Sequence, residues 1–140
     1  MAKQLGYACI NMTLAKQGIS CNRSMIRRTF DKKGVPYASE LILENLRNLT
    51  KVVSWNNQNE IKVYRMSSNM FPWMSEYELT DLPDYDKICN LLKGIGKLAM
   101  DNNQRLSFHP GQFCVLASPN ETVVLNAMNE LDKSAQIMDL

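Results

Sequence analysis

The sequence predicts an α/β fold in which three parallel strands alternate with amphipathic helices. Two observations lead there. The apolar periodicity changes along the chain in the order strand, helix, strand, helix, strand, helix. The composition, 45% hydrophobic and 21% charged with only 6 Gly and 5 Pro in 140 residues, is that of a chain that buries a core rather than of a disordered or fibrous one. This length fits one domain, residues 1–140, or roughly half of a 250-residue barrel.

The first strand is read at Leu5 to Ile10, a short apolar run around Gly6-Tyr7. It gives way at Asn11 to a polar, basic stretch reaching Pro36, about 26 residues where such loops usually run 2 to 6. Within it, Arg23 to Phe30 has room for a short helix. From Ser39 to about Asn56, Ile42, Leu46, Leu49 and Val53 make one helical stripe, with Ser39 as its expected N-cap. Ile61 to Met66 carries the β-branched and aromatic content of the second strand. The chain then turns at Ser67-Ser68-Asn69, and Met70 to Ser75, broken by Pro72, is expected as a loop that packs its aromatic residues.

The second helix is expected from Asp84 to Asn103 through Ile88, Leu91, Leu92, Ile95, Leu98 and Ala99. Gly94 and Gly96 weaken it by about 1 kcal/mol each relative to Ala, and such small residues suit close packing against a sheet. Leu106 to Phe108 is the third strand, ending in His109-Pro-Gly-Gln-Phe113. Ser118-Pro119-Asn120-Glu121 has the pattern of a capping box with proline at the first helical position, opening a third helix to the end. Three parallel strands leave two open edges and do not close a barrel, so the expectation is the front part of a larger fold.

Charge excludes little. Sixteen Lys plus Arg against fourteen Asp plus Glu leave +2, too balanced to mark a nucleic-acid binder, so any basic surface must be local. Arg23, Arg27, Arg28, Lys32 and Lys33 are one such concentration, suited to backbone phosphates or to a merely solvated face. Glu76, Glu78, Asp81, Asp84 and Asp86 are irregularly spaced, which argues against a metal cage. Cys9, Cys21, Cys89 and Cys114 match neither a CxxC redox pair nor a zinc-finger pairing and read as reduced, buried thiols. No secretory leader or membrane span is legible, and the expectation is an intracellular protein.

In parallel α/β folds ligands gather just beyond the C-terminal ends of strands, which singles out Asn11, Ser67 to Asn69, and His109 to Phe113. His109, the only histidine, stands before a rigid Pro-Gly turn and reads as a structural residue, a metal ligand or a proton carrier. Gln112 and Phe113 pair an amide with an apolar ring, a combination that either packs locally or fills a gap in base stacking when a lesion is flipped out.

Together, Leu5-Gly-Tyr-Ala-Cys-Ile-Asn-Met-Thr-Leu14, Tyr64-Arg-Met-Ser-Ser68, Phe71-Pro-Trp73 and Leu106-Ser-Phe-His-Pro-Gly-Gln-Phe113 resemble the UV damage endonucleases. Asn22-Arg23, Glu44-Asn-Leu46 and Ala117-Ser-Pro119 fit the same family, so the resemblance covers nearly the whole chain in order. It implies a TIM-barrel-like α/β architecture, of which these residues would be about the first three of eight β/α units. It implies an endonuclease that incises DNA on the 5′ side of UV photoproducts, in metal-dependent excision repair. The implied cofactor is a cluster of divalent metal ions, manganese, and the implied partner is damaged double-stranded DNA, with no membrane.

Carried over by motif, His109 would be a metal ligand, Gln112 and Phe113 would probe the duplex opposite the lesion, and Tyr7 and Asn11 would face the flipped nucleotides. The resemblance places the protein in the cytoplasm or nucleoid, or in the host cell if the source is viral. Two features depart from the pattern. Glu76 stands where some members have His, so its role is unassigned, and the Glu, Asp, His and Lys residues that hold most of the family's metals belong to the barrel's second half. No catalytic residue is therefore singled out, and a missing C-terminal half is the expected partner for catalysis. The other readings are a non-catalytic DNA-damage-binding fragment and another metal-dependent barrel, such as an abasic-site endonuclease.

Overall fold

The structure is a computed structural model that describes residues 5–109 and 119–139. Three parallel strands, β1 (Gly6–Ala8), β2 (Val63–Ser67) and β3 (Arg105–His109), form a sheet in the order β1-β2-β3. Gly6 to Ala8 are in register with Val63 to Arg65, and Val63 to Ser67 with Arg105 to His109. The helices are α1 (Met12–Ala15), α2 (Arg27–Gln58), α3 (Tyr85–Asp101) and α4 (Glu121–Asp139). This is the α/β architecture of consecutive β/α units, part of a TIM-barrel-like fold.

Strand alternation sorts the side chains into two faces. Tyr64 and Met66 are buried in the main core with Ile42, Leu46, Leu49 and Val53 of α2 and Ile88 and Ile95 of α3. Arg65, between them, is exposed, as are Gly6, Ala8 and Arg105. The helices therefore cover one face of the sheet and leave the other open.

Each strand lies within a residue or two of its expected place, but the long helix differs. It starts at Arg27, within the stretch expected to hold a short helix, and is broken at Gly34 (φ 69°, ψ −160°), two residues before Pro36, so that the second segment begins ahead of Ser39. Pro36 fits the first turn of the segment that follows, where its missing N–H costs nothing. Ser39 is then an interior residue, fully buried, and not an N-cap. Its hydroxyl donates to Asp84 Oδ2 (2.9 Å) and accepts from the Asp84 N–H (3.2 Å), fastening α2 to the start of α3.

Two further expectations are corrected. Gly94 and Gly96 serve no close packing, since a Cβ at either would meet nothing within 4 Å. The helix after Pro119 begins at Glu121, and Asn120 caps it, its Oδ1 accepting the Thr122 N–H at 2.9 Å. Ser118 lies outside the described residues. The Met70 to Ser75 segment does pack its apolar side chains: Met70, Phe71 and Met74 are buried between short 3-10 turns.

Candidate nucleic-acid interface

The C-terminal ends of the strands carry the candidate site. β1 ends in a tight reversal at Cys9, whose φ of 61° lies in the left-handed region. The Tyr64 hydroxyl holds this turn by donating to the Cys9 carbonyl at 2.7 Å. Two residues on, Asn11 is buried and caps α1, its Oδ1 accepting the Leu14 N–H at 2.9 Å. The Asn11 Nδ2 donates to the Tyr7 hydroxyl at 2.9 Å, and that hydroxyl donates to Asn56 Oδ1 at 2.6 Å.

Asn56 donates in turn to Gln104 Oε1 at 3.0 Å, and the Gln104 amide reaches the Val53 carbonyl and Asn57 Oδ1. The chain Asn11-Tyr7-Asn56-Gln104 thus runs from the end of β1 to the entry of β3. The Tyr7 ring, 4.9 Å from that of Tyr64, lies half-buried on the helical side of the sheet. Burial pushes its pKa up against the opposing hydrogen bonds from Asn11 and Asn56, and the deeper Tyr64 hydroxyl is raised by burial as well, so both donate as neutral phenols. A cavity of about 160 Å³ opens beside Asn11, Cys9 and Cys21.

The basic loop is more occupied than its composition suggests. Arg23 is gripped by the buried Asn45, which accepts the Arg23 N–H at 2.9 Å and donates to its carbonyl at 2.9 Å, while the Arg23 Nε pairs with Glu44 at 3.2 Å. The Arg27 guanidinium meets Asp31 and Glu76, each at 3.0 Å, and lies 5.4 Å from the Trp73 ring centroid and 5.8 Å from that of Phe30. Its pKa is raised, first by the Glu76 hydrogen bond. Arg28 is exposed and takes part in none of the ion pairs among the described residues.

Four of the five residues in the acidic stretch are likewise spent on structure. Glu76 pairs with Arg27, Glu78 takes the buried Lys133 of α4 at 2.7 Å, Asp81 Oδ2 accepts the Glu78 N–H, and Asp84 meets Ser39. Among the described residues no group of three or more His, Cys, Asp and Glu could hold a metal ion. The residues described therefore do not by themselves fit a metal cluster. His109 ends β3, in register with Ser67 at the end of β2. Gln112 and Phe113 lie outside the described residues.

Sequence reasoning missed Asn45, Asn56 and Gln104, which organise the loop ends from inside helices and turns. It also passed over Arg65 and Arg105 on the open face, although the alternation around Tyr64 and Met66 pointed to Arg65.

The fold is that of consecutive β/α units of a TIM-barrel-like protein, with the candidate residues lying at or beyond the strand ends. The chain belongs to the family described as UV-endonuclease UvdE, which matches residues 3–140. It is 39% identical over 139 residues, 98% of this chain and 42% of the other, to an Acanthamoeba polyphaga mimivirus protein with a provisional UV-damage endonuclease name. It is 34% identical over 137 residues, 96% of this chain and 22% of the other, to the UV-damage endonuclease of Schizosaccharomyces pombe. The crystal structure of SacUVDE superposes with a TM-score of 0.82 at 27% identity, covering 99% of this chain and 47% of that one. The chain thus spans less than half the length of each of these relatives. Among the described residues no helix is long and apolar enough to cross a membrane.

Proposed function

We propose that this chain is the lesion-reading, N-terminal part of a UV-damage endonuclease that incises duplex DNA 5′ to UV photoproducts. What supports this reading most is the family match across residues 3–140, joined to a sheet whose ends carry Asn11 and His109. In it, Gln112 and Phe113 probe the stack opposite the lesion. Asn11 stands next to the flipped nucleotides, with Tyr7 fixing its amide through the hydrogen bond described above. Arg23, Arg27 and Arg28 border the phosphate track, Arg28 with its charge the most available.

Divalent metal ions, manganese above all, would supply the activation of water and the stabilisation of the leaving oxygen in this reading. His109 contributes one ligand, and the remaining ligands come from barrel units outside these 140 residues. By itself the chain then works as a non-catalytic damage binder.

The test is nicking and binding of an end-labelled, UV-irradiated duplex with manganese and with chelator. The chain alone is expected to bind irradiated DNA in preference to undamaged DNA, in chelator as in manganese, and to lose that preference in Gln112→Ala and Phe113→Ala. Incision just 5′ to the lesion is expected only when the remaining barrel units are supplied, and not with His109→Ala. Equal binding to damaged and undamaged duplex would sink the reading.

A further inference from the structure

The open face of the sheet is built in rows. Gly6, Val63 and Arg105 are in register in the first row, and Ala8, Arg65 and Ser107 in the second. Arg65 and Arg105 are exposed, and none of the ion pairs among the described residues includes either. β1 is pared down beside them: a Cβ on Gly6 would fall 2.6 Å from that of Val63, and the next inward residue is Ala8. Two guanidinium groups thus stand one row apart on this face, Arg65 between Ala8 and Ser107 and Arg105 beside Val63.

We infer that this face docks a polypeptide layer that presents carboxylates to Arg65 and Arg105, namely the remaining strands of the barrel. The inference rests on the proposed function and deepens it by naming the chemistry that joins the two parts. Parallel sheets normally bury both faces, and a cover without carboxylates would leave two buried charges uncompensated. A carboxylate answers the guanidinium fork with two parallel hydrogen bonds. The outer edges of β1 and β3 also carry backbone groups that a strand layer pairs and a nucleic acid does not. A second copy of the chain laid on this face would set arginine against arginine. A phosphate backbone would find only two cations here, few for a track of regularly spaced charges.

The probe is the part of the mimivirus relative beyond its matched region, made as a separate polypeptide and mixed with this chain in chelator without DNA. Wild-type chain is expected to bind it, with affinity falling about 100-fold or more in Arg65→Glu and less than about 10-fold in Arg65→Lys. Exchanging the facing carboxylate for Lys is expected to restore Arg65→Glu. Because Arg65 is exposed in the chain alone, Arg65→Glu should keep the wild-type thermal midpoint, which separates lost docking from lost folding. Unchanged affinity in both Arg65→Glu and Arg105→Glu, or no association of the wild-type chain, overturns the inference. So does a loss confined to duplex-DNA binding, or a dimer in sedimentation that needs Arg65. Incision is not read, so failure here is distinct from failure of the endonuclease reading.

Discussion

Asn45 shows what a single buried amide contributes. It is fully buried on α2, accepts the Arg23 N–H, and donates to the carbonyls of Arg23 and Met70 at 2.9 and 3.1 Å. One side chain thereby joins the first loop to the segment after β2, which are the two stretches that frame the strand ends. Asn45→Ala would leave buried backbone groups without partners, at a cost of about 2–4 kcal/mol. Urea unfolding should register that loss, and a cost under about 1 kcal/mol would mean that solvent already reaches these groups. The sequence marked Glu44-Asn-Leu46 only as part of a family resemblance and assigned Asn45 no role, because the groups it holds lie on loops distant along the chain.

The kink in α2 is an element-level decision made by two residues. Gly34 adopts φ 69° with ψ −160°, a region open to glycine and costly for any L side chain, and Pro36 restarts the helix. Gly34→Ala is expected to destabilise by roughly 1–3 kcal/mol. Gly94→Ala, in the regular body of α3 and facing open space, is expected to stabilise by up to about 1 kcal/mol. Thermal unfolding of the two variants reads both, and the same sign for both would refute the distinction. Periodicity located the stripe from Ile42 to Val53 because burial of that stripe is a property of the segment itself. It also allowed a short helix within Arg23 to Phe30, but could not show that this segment runs up to the Gly34 kink and the helical segment beyond it, because it is held by the Arg27, Phe30 and Trp73 cluster, whose partner lies beyond β2.

At the scale of the whole molecule, stability has an alkaline limit written into the core. Burial raises the Cys21 thiol from 9.0 to about 12. A pKa that is higher folded than unfolded gives stability that is complete below the unfolded value and is lost as pH climbs toward the folded one. Stability should therefore decline from about pH 9 upward, with Tyr7, Tyr64 and Tyr77, all raised first by burial, adding to the decline above their ordinary value of 10.0. Cys21→Val is expected to remove the part of the decline that begins near pH 9, seen in urea midpoints measured from pH 8 to 11. An unchanged profile would show that the thiol is not buried in solution.

By itself the sequence determined the order of elements, the parallel α/β class and the family, because local periodicity and short motifs such as Leu106 to Phe113 are carried by neighbours along the chain. It also placed Asn11 and His109 at strand ends. Only the tertiary structure decided that Glu76 is spent on Arg27, that Tyr7 supports Asn11 from the helical side, and that Arg65 and Arg105 share an open face. These bring together residues about 40 or more positions apart, or, for Tyr7, reflect the choice of a sheet face. Side-chain type does not encode them, because they arise when strands fall into register and loops close over the same end of the sheet.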